Sequence, residues 1–234
     1  SVTGEYYGVE KTIEKEFEVF HAKGETNTVT MKSAGDCALV SPVSVSSLNS
    51  ADSKPQGIEF SSDGTKMFTT GNPSTADSVW YYELDGPYCI STATYVNALN
   101  VESRDNTPTG VAFNPTGTKM YVIGKGSDVI LQYDLSSRFL PVTASFVYSM
   151  STTVVSAHAG ASVDNAPEDI HFNPTGTKMF IVGSENDEIH QYSMYEPFTL
   201  SNATHNFTLS VTSEETSPAG IHLNPTGTKM FIVG

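Results

Sequence analysis

Eleven residues, NPTGTKMFIVG, occur twice in this chain, at 173–183 and 224–234, and a near copy, NPTGTKMYVIG, fills 114–124. Extended leftward, four segments align without gaps: PQGIEFSSDGTKMFTTG from Pro55, PTGVAFNPTGTKMYVIG from Pro108, PEDIHFNPTGTKMFIVG from Pro167 and PAGIHLNPTGTKMFIVG from Pro218. Their leading prolines are 53, 59 and 51 residues apart. A constant core with variable spacing means one structural unit joined by loops of different length.

Within the unit, GVAF and KMYVIG have the β-branched and aromatic content of short strands. The intervening NPTGT is turn chemistry. Pro115 presets φ, Asn114 can bond the backbone ahead of it, and Gly117 supplies a positive φ. The second strand is apolar without a break, Met179 to Val182, so both its faces are expected to be covered. A third strand follows, ending in Tyr82, Tyr133 or Tyr192 and its neighbours. Leu131, Tyr133 and Leu135 alternate there, which predicts a half-exposed strand. A fourth aligns on Ala93, Ala144 and Ala203. Tyr88, Phe139 and Phe198 fall five residues earlier, as anchors where the chain turns outward.

Each unit is therefore expected to be four antiparallel strands, buried first and more polar outward. That gradient suits a blade pressed between neighbours at its inner strands. The pattern P-x-G-[IV]-x-F-N-P-x-G-T-K-M-[FY]-V-x-G, then V-x-x-Y-D-L, resembles the blade repeat of lactonase-like and YVTN-type β-propellers, related in style to NHL and WD40 blades. The resemblance covers about Cys37 to Gly234 and implies an all-β propeller. The Trp-Asp pair of WD40 blades is absent, and QYDL stands only loosely in its place.

The expected organisation is an N-terminal β-hairpin or attachment element over 1–36, then propeller blades over 37–234. These are a partial blade at 37–48, complete blades at 57–103, 110–157 and 169–214, and a half-blade at 220–234. Three and a half blades do not close a ring of the usual 4–8. The expectation is a chain that continues, or a ring closed in trans through the open blade edge. Cys37 and Cys89 hold nearly equivalent places in neighbouring blades. Outer strands of adjacent blades stand too far apart for a bridge, so free thiols or buried apolar cysteines are expected.

The net charge of −14, from 26 acidic and 12 basic residues, argues against nucleic acid and anionic lipid as partners. No apolar run approaches the ~20 residues of a membrane helix, so no membrane insertion is expected. Motifs for acyl transfer, zinc proteolysis and phosphate binding are missing, and no cofactor, metal or catalytic residue is expected. GKGSD at 124–128 joins two strands, which rules out a phosphate cradle at a helix N-terminus. The acidic loops STAD, GSD and SEND read as solvated turns. Trp80, Tyr81, Tyr82, Tyr133 and Tyr192 read as packing between blades.

The third position of each first strand carries Glu59, Ala112, His171 and His222, which successive blades would place in a ring around the central axis. With Glu168 and Asp169, the latter standing where the other copies have glycine, these are the candidate binding residues at the channel mouth. Asn202 and Asn206 match the N-glycosylation pattern, relevant to a protein secreted by a eukaryote. The function expected is a non-enzymatic scaffold that binds protein or glycan partners, displayed extracellularly or on a virion or filament surface. The alternative is a lactonase-like hydrolase or lyase with its site at the channel mouth.

Overall fold

The computed structural model describes residues 54–71, 77–153 and 166–234, together with the backbone of four short strands near the N-terminus. Those strands are β1 (Val2–Tyr6), β2 (Val9–Ile13), β3 (Val19–Phe20) and β4 (Thr26–Asn27), with β1 paired to β2 and β3 to β4. The segment 37–48, expected as an outer strand, lies outside the described residues.

Three sheets of four antiparallel strands follow. The first is β5 (Pro55–Phe60), β6 (Lys66–Gly71), β7 (Ser78–Glu83) and β8 (Thr94–Asn100). The second is β9 (Pro108–Phe113), β10 (Lys119–Gly124), β11 (Val129–Leu135) and β12 (Ala144–Ser151). The third is β13 (Pro167–Phe172), β14 (Lys178–Gly183), β15 (Glu188–Met194) and β16 (Ala203–Ser210). A pair, β17 (Gly220–Leu223) and β18 (Met230–Val233), completes the described chain. The inner strands β5, β9, β13 and β17 stand side by side in that order.

The turn between the first two strands is built as its residues dictate. Asn114 Oδ1 accepts from the Thr118 and Lys119 amides, each at 2.9 Å, and Gly117 takes φ +66°. In the first blade Asp63 does related work, accepting from the Thr65 amide and the Ser61 hydroxyl. These bonds hold its carboxyl down at about 2. Each aromatic anchor closes over the glycine of its own turn: Tyr88 on Gly64, Phe139 on Gly117 and Phe198 on Gly176. To do so all three adopt positive φ, between 52° and 59°.

Much of the core lies between the blades. Alternate residues of β10 enter two different clusters, Met120 and Val122 toward the first blade, Tyr121 and Ile123 toward the third. This explains an unbroken apolar strand. Each such buried side chain contributes roughly 1.5–3 kcal/mol. Tyr81, Tyr133 and Tyr192 are buried in these clusters, whereas Trp80 and Tyr82 are buried in a third that the first blade's own residues form.

Two expectations are corrected. The third strand is not half exposed: Ile130, Leu131, Gln132 and Tyr133 of β11 are all buried. Ile130 faces the third blade while Leu131, Tyr133 and Leu135 face the first, so inter-blade packing reaches one strand further out than the alternation suggested. Cys89 is disulfide-bonded, not a free thiol. It sits in the turn after β7, ahead of the outer strand, so the separation of outer strands does not govern it. The other cysteine, Cys37, lies outside the described residues.

Candidate functional site

The inner strands carry a bulge that the sequence pattern hides. Register slips one residue between Pro55 and Gly57, between Pro108 and Gly110, and between Pro167 and Asp169. A bulge re-aims its extra side chain, here that of Gln56, Thr109 or Glu168. Thr109 turns toward the third blade and its hydroxyl donates to the Pro167 carbonyl at 2.9 Å. Glu168 turns back toward the second, where Lys125 Nζ meets its two oxygens at 2.9 and 3.1 Å, while the Ser184 hydroxyl of its own blade donates at 2.7 Å. Glu168 is thus an inter-blade clamp, and it does not join the other candidate residues.

Glycine at the next position lets the inner strands approach. A Cβ on Gly57 would lie 2.6 Å from the Thr109 carbonyl oxygen, and one on Gly110 would lie 2.7 Å from Asp169 Oδ1. Asp169 is accommodated because Gly110 and Gly220 flank it. Its Oδ1 accepts from the Ile170 amide at 2.8 Å and its Oδ2 from the Ile221 amide of the next inner strand at 3.0 Å. Burial raises its carboxyl to about 6, partly offset by those two bonds.

The structure brings Glu59, Asp169, His171 and His222 together around one cavity of about 390 Å³. The His171 and His222 rings meet edge to face at 4.6 Å between centroids. Burial, and then the neighbouring His222, lower His171 to about 4. Burial, and then the Asp169 charge, raise Glu59 to about 8. At neutral pH the cavity therefore holds a protonated carboxyl, a largely ionised one and a neutral imidazole. Glu59 and His171 also line a smaller adjoining cavity of about 110 Å³ with Ala112. Among the described residues no group of three or more His, Cys, Asp or Glu side chains is gathered as a metal site.

A second histidine pair escaped the sequence reading. His190 of β15 and His205 of β16 are both buried, with rings 5.6 Å apart. The Thr208 hydroxyl stands between them, 3.0 Å from His205 Nε2 and 3.3 Å from His190 Nδ1. Burial lowers His190. The available signal was His205 standing where the second blade has Phe146; its ring packs on Tyr192 as Phe146 packs on Tyr133.

The remaining candidates are separate. Asn202 lies in the turn before β16 with its Oδ1 buried, and Asn206 is exposed on β16, donating to the Ser193 hydroxyl. The acidic loops are solvated only in part. Asp77 is buried, and burial raises both Asp77 and Asp128. No helix among the described residues is long and apolar enough to cross a membrane.

Four-stranded blades packed through inter-blade cores make this a β-propeller architecture with about three and a half blades. Solved structures agree. A "putative 6-phosphogluconolactonase" of Bacteroides uniformis superposes with a TM-score of 0.53 at 17% identity, over 92% of this chain and 56% of that one. A functionally unknown protein of Desulfotomaculum acetoxidans gives a TM-score of 0.51 at 11% identity, over 76% and 48%. The likeness is one of fold, and the chain spans about half the length of these structures. No protein-family model matches the chain, and no curated protein matches it.

Proposed function

We propose that the chain is a non-enzymatic propeller scaffold that binds a protein partner. The observation that carries this reading is the outer rim. Strands β8, β12 and β16 contain no Asp, Glu, Lys or Arg, yet expose Tyr95, Val96, Phe146, Val147, Tyr148, Phe207 and Leu209. Blade after blade repeats a partly aromatic outermost strand with no charged residue of its own, Arg104 from a neighbouring loop lying 3.5 Å over the Phe146 ring, in a place where proteins otherwise put charges against unwanted pairing. Aromatic enrichment with charge depletion also characterises the centre of protein interfaces. Two ionisable side chains near the inner strands, Asp169 and Glu168, are engaged in joining blades, which leaves less for catalysis.

Glycan partners, and self-assembly through the edge of β18, belong to the same proposal as further occupants of exposed strands. So does display outside the cell or on a virion or filament; the disulfide at Cys89 supports an oxidising compartment. A second reading, a lactonase-like hydrolase or lyase, draws on one observation. Glu59, held protonated, shares its cavity with the neutral imidazole of His171, an acid beside a base.

The test pairs two assays. Purified protein is offered a panel of sugar and alkyl lactones, and partner capture from its source is compared with that of a Phe146→Ser, Tyr148→Ser, Phe207→Ser variant of unchanged circular dichroism. The scaffold reading expects no turnover and loss of the captured protein in the variant. Lactone turnover that disappears in His171→Ala or His222→Ala overturns it in favour of the enzyme.

A further inference from the structure

The third blade departs from the other two at two neighbouring packing positions. His190 stands on β15 where the first and second blades carry Trp80 and Leu131, and His205 stands on β16 where they carry Tyr95 and Phe146. Both imidazoles are buried, His190 at 4% exposure and His205 at 7%. A polar ring in place of hydrocarbon is costly unless its nitrogens are served. Here one group, the Thr208 hydroxyl, meets both rings. It has a single proton, so it donates to one ring and accepts from the other. That arrangement suits two neutral imidazoles. Two charged ones would both donate, leaving the hydroxyl proton without a ring to accept it. His190 Nε2 is buried and makes no hydrogen bond, and the Glu188 carboxylate lies 3.7 Å away, beyond hydrogen-bonding reach. A proton added to this nitrogen would be a buried donor without an acceptor.

We propose that the third blade carries an acid-operated latch: a proton taken up by His190 releases the outer strand β16 from β15, and with it the docking surface that Phe207 and Leu209 contribute. The inference rests on the scaffold reading only for what β16 holds. Burial opposes the charged form of His190, the Glu188 charge favours it and the neighbouring His205 opposes it again, and the balance lies below the ordinary histidine value. The contribution of His190 to the closed joint is therefore fully present above about 6.5 and is lost as pH falls from there toward the lower folded value. β14 sets Ile181 opposite His190. Among the described residues, the further titratable groups at the pair lie on the His205 side, Tyr192 of β15 and Tyr148 of the second blade's β12. The second blade has no such device, since Leu131 and Phe146 hold the same places, and its outer strand β12 is an internal control.

Amide hydrogen exchange of the intact chain is followed by nuclear magnetic resonance at pH 7, 6 and 5. Each rate is divided by that of an unstructured amide at the same pH, which gives the opening constant of its strand. An opened His190 titrates near 6.5, so excluding one proton from the closed joint raises the opening constant by about 25-fold between pH 7 and 5. The expected rise for the β16 amides is at least about fivefold, with that figure as its ceiling, while β12 stays unchanged. His190→Leu, which installs the residue of the second blade, is expected to remove the response. The comparison of β16 with β12 is made within one wild-type molecule and holds whether or not the variant folds. Equal responses in β16 and β12, no response in either, or a response retained in His190→Leu overturns the proposal. A pH-dependent β16 in a chain that captures no protein leaves the latch standing and overturns the scaffold reading. Capture of a protein without pH-dependent opening does the reverse.

Discussion

Replacing Glu59 by glutamine isolates the cost of placing a carboxyl at the inner ring. Folded Glu59 keeps its proton up to about 8, while an unfolded glutamate releases it near 4.5. Between those values the folded state binds more protons, so stability falls as pH rises and the loss is complete above the folded value. At about 1.36 kcal/mol per pKa unit the full linkage is about 5 kcal/mol. Glu59 is only half-buried, and screening by solvent at the cavity reduces this to roughly 2–3 kcal/mol. Asp169 acts in the same direction between 3.8 and about 6, and His171 in the opposite direction between 6.5 and about 4, but both remain in the variant. Urea unfolding of the two proteins is compared from below the lower value to above the upper one. Glu59→Gln is expected to match wild type at the acid end and to exceed it by that margin at the alkaline end. A gap that stays constant with pH, or one that grows in favour of wild type, refutes the reasoning.

Three further substitutions probe the joints between blades. Gly117→Ala places a Cβ against the Phe139 ring in a backbone of φ +66°, and is expected to cost about 1–3 kcal/mol by chemical denaturation. Thr109→Val removes the hydroxyl that bonds Pro167 and leaves a buried carbonyl short of a donor, a loss of about 1–3 kcal/mol measured the same way. Tyr121→Phe deletes the hydroxyl that bonds the Phe198 carbonyl of the third blade at 2.5 Å, and a loss of about 1 kcal/mol is expected.

The repeat made the hairpins legible because their information is local. Asn114, Pro115 and Gly117 encode the turn through contacts a few residues apart, and the unbroken apolar run of β14 reports cover on both faces directly. The ring position was readable too, since one inner strand aligned on the next sets Glu59, His171 and His222 at equivalent heights. What stayed hidden depends on geometry between blades. A bulge leaves no mark in a proline-glycine pattern, so Glu168 looked like a ring residue although it faces Lys125. Alternation along β11 reads as one wet face unless the third blade is known to cover Ile130 and Gln132. Gln132 is a polar residue in a buried strand because its side chain accepts from the Leu200 amide at 2.9 Å, across the blade boundary. His190 and His205 lie 15 residues apart and become neighbours only through the pairing of β15 with β16.

The central claim is that successive blades bring their inner strands around one cavity, and His171 reports on it best. The direct measurement is the titration of the His171 imidazole by nuclear magnetic resonance, in the wild-type chain and in His222→Ala. Burial and the adjacent ring are expected to hold His171 at about 4, and removing His222 is expected to raise it. A His171 that titrates near the ordinary value of about 6.5, unmoved by the loss of His222, contradicts the arrangement.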